Sequence, residues 1–161
     1  MFLVWFISRV NNPEQFHAGP GKLSLVAGTA NTLIMVTSSF FVARAVLAMG
    51  HGRARACLRW LGAALVVAAG YPVVKFFEVR GYLAAGQTIG GDVFLVTYYY
   101  LTFNHLVHVS WGLLGLLWVM VRTGFGGYDA GEHGGLVAFA SYWHATDLIW
   151  LMIFPAFYLL P

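Results

Sequence analysis

Charged residues are scarce in this chain, and that scarcity excludes most kinds of soluble protein. Of its 161 residues, nine are lysine or arginine and six are aspartate or glutamate, together 9% of the chain. Soluble domains carry about 25% charged residues. A soluble enzyme and a disordered segment are therefore excluded as first interpretations. The net charge of +3 is too small and too dispersed to indicate a nucleic-acid-binding surface.

Cysteine is almost absent, and so are the usual signatures of catalysis. Cys57 is the single cysteine, so neither an intrachain disulfide nor a cysteine-bound zinc site is available. The sequence also lacks a nucleophile–base arrangement and a glycine-rich phosphate loop. We therefore predict no catalytic residue and no cofactor or metal site in this chain.

What the chain has in abundance is apolar sequence, at 60% of its residues and a mean hydropathy of +0.73. A membrane-spanning helix needs about 20 mostly apolar residues. Four stretches meet that requirement, at roughly 23–43, 57–79, 93–121 and 136–160. Barrel strands are shorter than these runs, so the spans are predicted to be helices. The sequence thus predicts an all-α integral membrane protein, with residues 1–161 forming one domain and four full transmembrane helices.

The first ten residues, MFLVWFISRV, are apolar but too short to cross a bilayer. Part of a first helix, a signal peptide and an interfacial segment are three competing interpretations. Arg9 follows the apolar stretch, whereas a signal peptide carries its positive charge before it, so the second is disfavoured. We expect a short N-terminal helix that is the remnant of a fifth span.

Prolines and glycines predict where the helices bend and end. Pro72 and Pro155 are expected to kink the second and fourth full spans. Turn-forming residues predict four connections, at Asn11–Gly21, Met49–Arg55, Gly81–Gly91 and Thr123–Gly135. Arg53 and Arg55 lie in the second of these, and positively charged loops favour the cytoplasm. That loop is therefore predicted to be cytoplasmic and the C-terminus to lie outside.

Four ionisable residues lie well inside the apolar spans. His105 and His108 are in the third, and His144 and Asp147 are in the fourth. A spacing of three residues places each pair on one helix face, and such groups tend to point into the bundle. We predict an interhelical polar network of these four residues, with Glu78 as an outlying member. Two alternatives remain open: a free-standing membrane haem protein in which His105 or His108, together with His144, holds the haem, and a proton relay through Asp147 and the histidines.

Other polar residues are expected to serve packing. Small and hydroxyl side chains at three- to four-residue spacing allow close helix contact, and the first full span carries such a set: Gly28, Asn31, Thr32 and Ser38. Lys75 is expected to reach toward the membrane surface, three residues before Glu78. Three successive tyrosines at 98–100 point in different directions, so at least one hydroxyl needs a partner in the bundle.

Four segments together resemble subunit III of the haem–copper oxidases. They are Asn31-Thr32-Leu33 running into Thr37-Ser38-Ser39, then Phe76-Phe77-Glu78, LTFNHLVHVSWG from Leu101 to Gly112, and SYWHATDLIWL from Ser141 to Leu151. The last two are similar to the family's Thr-Gly-x-His-x-x-His-Val and Tyr-Trp-His-x-x-Asp-x-x-Trp signatures. The order and spacing of the segments also match, over about residues 10–160. The small size and the Tyr98–Thr102 run resemble a short bacterial branch that includes the accessory protein of nitric oxide reductase.

Two departures from the family pattern are visible. Phe103 and Asn104 replace the usual glycine and apolar residue before His105. Residues 1–10 contain no carboxylate, so the acid that subunit III carries in its first shared helix has no counterpart here.

The resemblance implies a subunit without redox centres rather than an enzyme by itself. Its expected place is the bacterial inner membrane, among lipids and beside the catalytic subunit of a terminal oxidase or a nitric oxide reductase in the respiratory chain. Haem and copper or non-haem iron are expected in that partner. The implied role is to support the partner's stability or its proton supply.

Overall fold

The computed structural model describes residues 2–87 and 92–160, which contain seven α-helices and no strand. The helices are α1 Phe2–Asn11, α2 Pro13–Ala18, α3 Leu25–Gly50, α4 Ala54–Ala68, α5 Gly70–Ala84, α6 Val93–Gly124 and α7 Gly134–Phe154. A π-helical turn, Pro155–Leu159, continues α7. The predicted all-α fold is confirmed.

Four helical segments are long and apolar enough to cross a membrane: Leu25–Gly50, Ala54–Ala84, Val93–Gly124 and Gly134–Leu159. They coincide with the four predicted spans. The first span runs past Arg44, where the charge-free stretch ends, since arginine itself favours helix. The Arg44 guanidinium lies over the Trp60 ring at 5.4 Å. Helix starts follow local capping: the Ser24 hydroxyl accepts from the Ala27 amide, and the Asp92 carboxylate from the Phe94 amide.

Both predicted proline kinks occur as breaks in helical geometry. The second span is interrupted at Ala69, three residues before Pro72, and thereby divides into α4 and α5. Pro155 ends α7 and begins the π-helical turn. A proline lacks the amide hydrogen that would bond to the carbonyl four residues earlier, which accounts for both breaks.

The N-terminal part contains more helix than its glycines and prolines predict. The α1 helix is short, as expected, but the predicted connection Asn11–Gly21 contains α2 and a 3₁₀ turn, Pro20–Lys22. Pro13 and Pro20 each stand at the start of one of these elements, where the fixed φ angle of proline favours helix. Backbone amides in the first turn have no hydrogen-bond partner within the helix, so the missing amide hydrogen of proline costs no hydrogen bond there. The first four residues of the predicted connection Gly81–Gly91 are still helical, since α5 runs to Ala84, and its residues 88–91 lie outside the described ones.

The spans pack as a closed ring in which α3 contacts α4, α5 and α7, and α6 contacts α4 and α7. At one end, a Cβ atom built on Gly52 would lie 3.9 Å from Ala130, so the α3–α4 and α6–α7 loops lie together. At the other end, Lys22 forms an ion pair with Asp92, joining the segment before α3 to the start of α6.

Three of the four residues predicted to pack the first span contact α7 or the π-helical turn, and the fourth, Asn31, is buried. Gly28 is buried, and a Cβ atom there would lie 2.8 Å from the Tyr158 ring. The Thr32 hydroxyl accepts from the Trp150 indole at 3.0 Å, and the Ser38 hydroxyl accepts from Trp143 at 3.2 Å. Asn31 is fully buried, and its side-chain amide has no hydrogen-bond partner among the described residues.

Gly112 lies where α6 packs tightly against α7, and its substitution provides a test of the packing. A Cβ atom there would lie 2.7 Å from the Trp143 ring, which is itself completely buried. Gly112→Ala is therefore expected to destabilise the bundle by about 1–3 kcal/mol through overpacking. The measurement is the free energy of unfolding in mixed micelles, from an SDS titration followed by circular dichroism.

The matched control is Gly62→Ala, in α4, where an added Cβ atom meets nothing within 4 Å. That change is expected to leave stability equal or slightly higher, because alanine favours helix over glycine. Equal losses for the two variants would contradict the close contact at Gly112.

Candidate functional site

A buried ion pair in α5 is the most polar feature of the bundle interior. The Lys75 ammonium lies 2.7 Å from Oε2 of Glu78, and the two residues are only 4% and 7% exposed. Their spacing of three residues on one helix brings the side chains together. Removing both charges from water costs several kcal/mol per ion unless every polar atom finds a partner.

Tyrosine hydroxyls supply those partners. The Lys75 ammonium donates to Tyr98 and Tyr158, each at 3.0 Å, in addition to Glu78, so all three of its hydrogens are used. Oε1 of Glu78 accepts from Tyr82 at 2.8 Å and from Tyr158 at 2.7 Å. The Tyr158 hydrogen is committed to Glu78, so Tyr98 donates in the 2.7 Å bond between the two hydroxyls. The network is closed, because every N–H group of the Lys75 ammonium donates a hydrogen bond.

This network, hereafter the lysine–glutamate–tyrosine cluster (Lys75, Glu78, Tyr82, Tyr98 and Tyr158), joins separate parts of the fold. Tyr82 accepts from the backbone amide of Ser24 at 2.7 Å, just before α3 begins. The cluster therefore connects α5, α6, the π-helical turn and the start of α3. Aromatic rings surround its cation, with the ammonium 4.8 Å from the centre of the Trp150 ring.

His105 lies beside the cluster and is 1% exposed. Its ring packs against Tyr71 and Trp150, each at a centroid distance of 5.3 Å. Neither ring nitrogen has a hydrogen-bond partner among the described residues. His105 therefore faces the interior, as predicted, but it contacts aromatic rings instead of polar groups.

His144 and Asp147 lie on α7, on the side toward α3. Nδ1 of His144 forms a short hydrogen bond with the Ser39 hydroxyl, which joins the two helices. Asp147 is 5% exposed and lies close to the same Ser39 side chain. No imidazole bonds to its carboxylate in the part of the chain that the structure describes.

His108 points outward. Its side chain is exposed, and its Nδ1 bonds to the Asn104 carbonyl of the same helix at 2.7 Å. Thr102, Asn104 and Thr146 likewise bond to carbonyls four residues earlier in their own helices. Within the described residues, no hydrogen bond joins any two members of the predicted network of His105, His108, His144, Asp147 and Glu78.

The centre of the cluster, Lys75, was not predicted from the sequence. Lys75 was expected to reach toward the membrane surface, and instead it points inward to Glu78. Two features of the sequence indicated the cluster. Lys75 and Glu78 lie three residues apart on one helix, and at least one of the tyrosines at 98–100 needs a hydrogen-bond partner inside the bundle. Tyr158 had no such signal, because it lies after Pro155, where ordinary helical spacing no longer applies.

The alternative of a haem held by two histidines needs two imidazoles that face one gap. The three candidates instead have separate surroundings: His105 packs between aromatic rings, His108 faces outward, and His144 bonds to Ser39. This geometry does not support the haem interpretation.

A double-mutant cycle tests the ion pair. Lys75→Met or Glu78→Gln alone leaves one charge without its partner in an apolar interior, which is expected to cost about 3–5 kcal/mol of stability. The double variant removes both charges and is expected to lose less than the sum of the single losses. Unfolding free energies of the four proteins in SDS titrations provide the comparison. Additive losses would show that the two charges do not depend on each other.

A matched pair of tyrosine variants tests the hydroxyls. Tyr158→Phe removes a hydroxyl that makes three hydrogen bonds, and it is expected to cost about 1–3 kcal/mol. Tyr71→Phe removes a buried hydroxyl with no hydrogen-bond partner among the described residues, so stability is expected to stay equal or rise. Thermal unfolding of the purified proteins measures both changes. A larger loss for Tyr71→Phe would refute the assignment of Tyr158 to the cluster.

Comparison with known proteins provides the context for this arrangement. The family model for Cytochrome c oxidase subunit III matches residues 22–160. A probable cytochrome c oxidase subunit 3 of Mycobacterium bovis is 24% identical over 98% of this chain and 78% of its own length. A cytochrome c oxidase subunit 3 of Thermostichus vulcanus is 31% identical over 91% of this chain and 72% of its own length.

A further relative is a longer protein. The heme-copper oxidase subunit I+III of Aeropyrum pernix is 28% identical over 99% of this chain, which corresponds to 20% of that protein. The matched region of the family model includes all four spans and the entire lysine–glutamate–tyrosine cluster. The chain belongs to the cytochrome c oxidase subunit III family, and it is a multi-pass membrane protein that acts as a non-catalytic subunit of a haem–copper oxidase.

Proposed function

We propose that this chain stabilises the catalytic subunit of a terminal oxidase by forming a rigid bundle at its side within the membrane. The catalytic subunit is the partner that would hold the haem and copper. The names of the relatives favour an oxidase over a nitric oxide reductase. The fused subunit I+III of Aeropyrum pernix supports a side-by-side arrangement, since its name places both parts in one chain.

The observation that carries this proposal is the saturation of the lysine–glutamate–tyrosine cluster. Every hydrogen of the Lys75 ammonium and both oxygens of Glu78 are engaged by side chains of the same bundle. A group that passes protons needs freedom to exchange them with a neighbour or with water. A closed network fixes helices relative to one another, which suits a stabilising subunit better than a proton path.

We propose that other polar side chains of the bundle also hold helices together. The bond from His144 to Ser39 joins α7 to α3, and Glu78 links α5 to the C-terminal segment through Tyr158. We further propose that the bundle lies in the bacterial inner membrane, with the Arg53/Arg55 loop cytoplasmic and the C-terminus outside, in keeping with the positive charge of that loop.

The second function, proton supply, is favoured by one observation. The Asp147 carboxylate is buried in the bundle beside Ser39, and a buried carboxyl group within a membrane span is typical of proton relays. The two functions predict different consequences for the complex when this chain is lost.

Deletion of the gene, with complementation by the wild-type copy, distinguishes them. If the chain stabilises its partner, the amount of haem-bearing complex in the membrane is expected to fall severalfold, while turnover per haem stays unchanged. If it supplies protons, turnover per haem falls and the amount of complex does not. The measurements are a reduced-minus-oxidised haem spectrum and oxygen consumption of the same membranes.

Purification of a tagged chain in mild detergent supplies the identity of the partner. A haem-bearing large subunit is expected to accompany it, and peptide mass spectrometry of that subunit decides between oxidase and nitric oxide reductase. A chain that purifies alone from native membranes would refute the proposed partnership.

A further inference from the structure

A polar stripe occupies the outer surface of α6, where lipid would otherwise be the neighbour. It consists of Asn104, His108 and Trp111, at three- to four-residue spacing. His108 lies at the middle of the 32-residue helix Val93–Gly124, the position farthest from water on either side. An exposed imidazole at this depth needs a partner that lipid chains do not provide.

The hydrogen bond that His108 makes within its own helix defines what the missing partner must offer. Nδ1 lies 2.7 Å from the Asn104 carbonyl oxygen, which only accepts, so Nδ1 carries the hydrogen. In the neutral ring, Nε2 is then an acceptor. This acceptor is exposed on the bundle surface and has no donor among the described residues. A neighbouring molecule that covers it must therefore present an O–H or N–H group.

Trp111, one turn away, exposes a hydrogen-bond donor that lacks an acceptor among the described residues. Its side chain is 70% exposed, and its indole N–H makes no hydrogen bond in the described part of the chain. By contrast, the indoles of the interior residues Trp143 and Trp150 both donate to hydroxyls. One acceptor and one donor are thus exposed on successive turns of a transmembrane helix.

Among the described residues, no imidazole or indole is exposed on α3, α5 or α7 near the middle of the span. The exposed side chains there are apolar or carry a hydroxyl group: Leu33, Val36, Thr37 and Phe40 on α3, Val73, Phe76 and Phe77 on α5, and Ser141 and Leu148 on α7. A hydroxyl group can bond to a carbonyl of its own helix, as Ser141 does to Val137, and needs no partner outside the chain. The polar stripe distinguishes the α6 face from them.

The shape of the surface beside the stripe suits a helix with protruding side chains. A groove of about 410 Å³ runs between α6 and α7, lined by Trp111, Gly115, Trp118, Phe139 and Tyr142 among others. Gly115 has no side chain to fill the base of the groove, and Trp118, which is 65% exposed, lies along its edge. At the end of the groove nearest His108, the Tyr142 hydroxyl donates to the His108 carbonyl at 2.9 Å.

We propose that this face of α6 and α7 receives a transmembrane helix of the haem-bearing catalytic subunit, which donates a hydrogen bond to Nε2 of His108 and accepts one from the Trp111 indole. A hydroxyl or carboxamide side chain on that helix meets both requirements. An apolar side chain next to it fills the groove. The inference rests on the proposed partnership for the existence of the helix, and on the geometry of this chain for the place where it binds.

Photocrosslinking in the intact complex tests the location. Benzoylphenylalanine replaces Trp111 in one tagged chain and Phe40 in a control chain, an exposed aromatic residue in the middle part of α3. After irradiation of native membranes, the Trp111 position is expected to give an adduct with the haem-bearing subunit, and the Phe40 position is not.

The outcomes separate this inference from the proposed function. A haem-bearing subunit that co-purifies with the chain, but forms its adduct from Phe40 and not from Trp111, overturns the assigned face while the partnership stands. Lipid adducts alone at Trp111 in the same complex overturn it as well. Absence of any haem-bearing subunit from the purified wild-type chain refutes the partnership itself.

Substitutions at His108 test the hydrogen bond. His108→Leu removes the acceptor, and it is expected to lower the haem recovered per tagged chain about fivefold after a stringent detergent wash, the factor that corresponds to one hydrogen bond of about 1 kcal/mol. His108→Gln restores an acceptor and is expected to recover most of the haem. Val36→Leu on α3 is the control. Equal recovery from His108→Leu and wild type would overturn the proposed bond.

Discussion

The bundle depends on keeping one ion pair fully satisfied away from water. Lys75 and Glu78 lie in an apolar interior where an unmade hydrogen bond costs far more than it does at a surface. Their partners come from α6, from the π-helical turn and, through Tyr82, from the backbone before α3. Each of these elements is therefore held in the one position that completes the network. Apolar contacts alone do not provide such specificity in a membrane, because lipid chains compete with them equally well.

The spans were predictable from the sequence because the physical requirement is simple. Length and the near absence of charge predicted all four, and the prolines predicted the breaks before Pro72 and at Pro155. Their ends were less accurate, because a charged residue such as Arg44 favours helix as well as an apolar one does and does not mark where the helix ends. The helix α2 was missed because proline was interpreted as a turn residue, when it also favours the first position of a helix.

The site was harder to predict than the spans. A spacing of three residues predicted one shared face for His105 and His108, but His105 is buried and His108 is exposed. Residues three apart differ by about 60° around the helix, so the edge of the buried face can fall between them. Many polar side chains in a membrane helix bond to their own backbone, as Thr102 and Asn104 do, which removes them from any network between helices. Three consecutive residues near the C-terminus, Ala156, Phe157 and Tyr158, are all buried, a pattern that ordinary helical periodicity does not contain.

The location of both charges in a single helix also bears on how the chain enters the membrane. The second span enters the membrane before α6 and the C-terminal segment do, so Tyr98 and Tyr158 do not yet lie beside Lys75 at that stage. A lone lysine at that stage would oppose insertion. Because Glu78 follows Lys75 by three residues, the two charges compensate each other within the nascent helix, and the later helices find a preassembled polar group around which to fold.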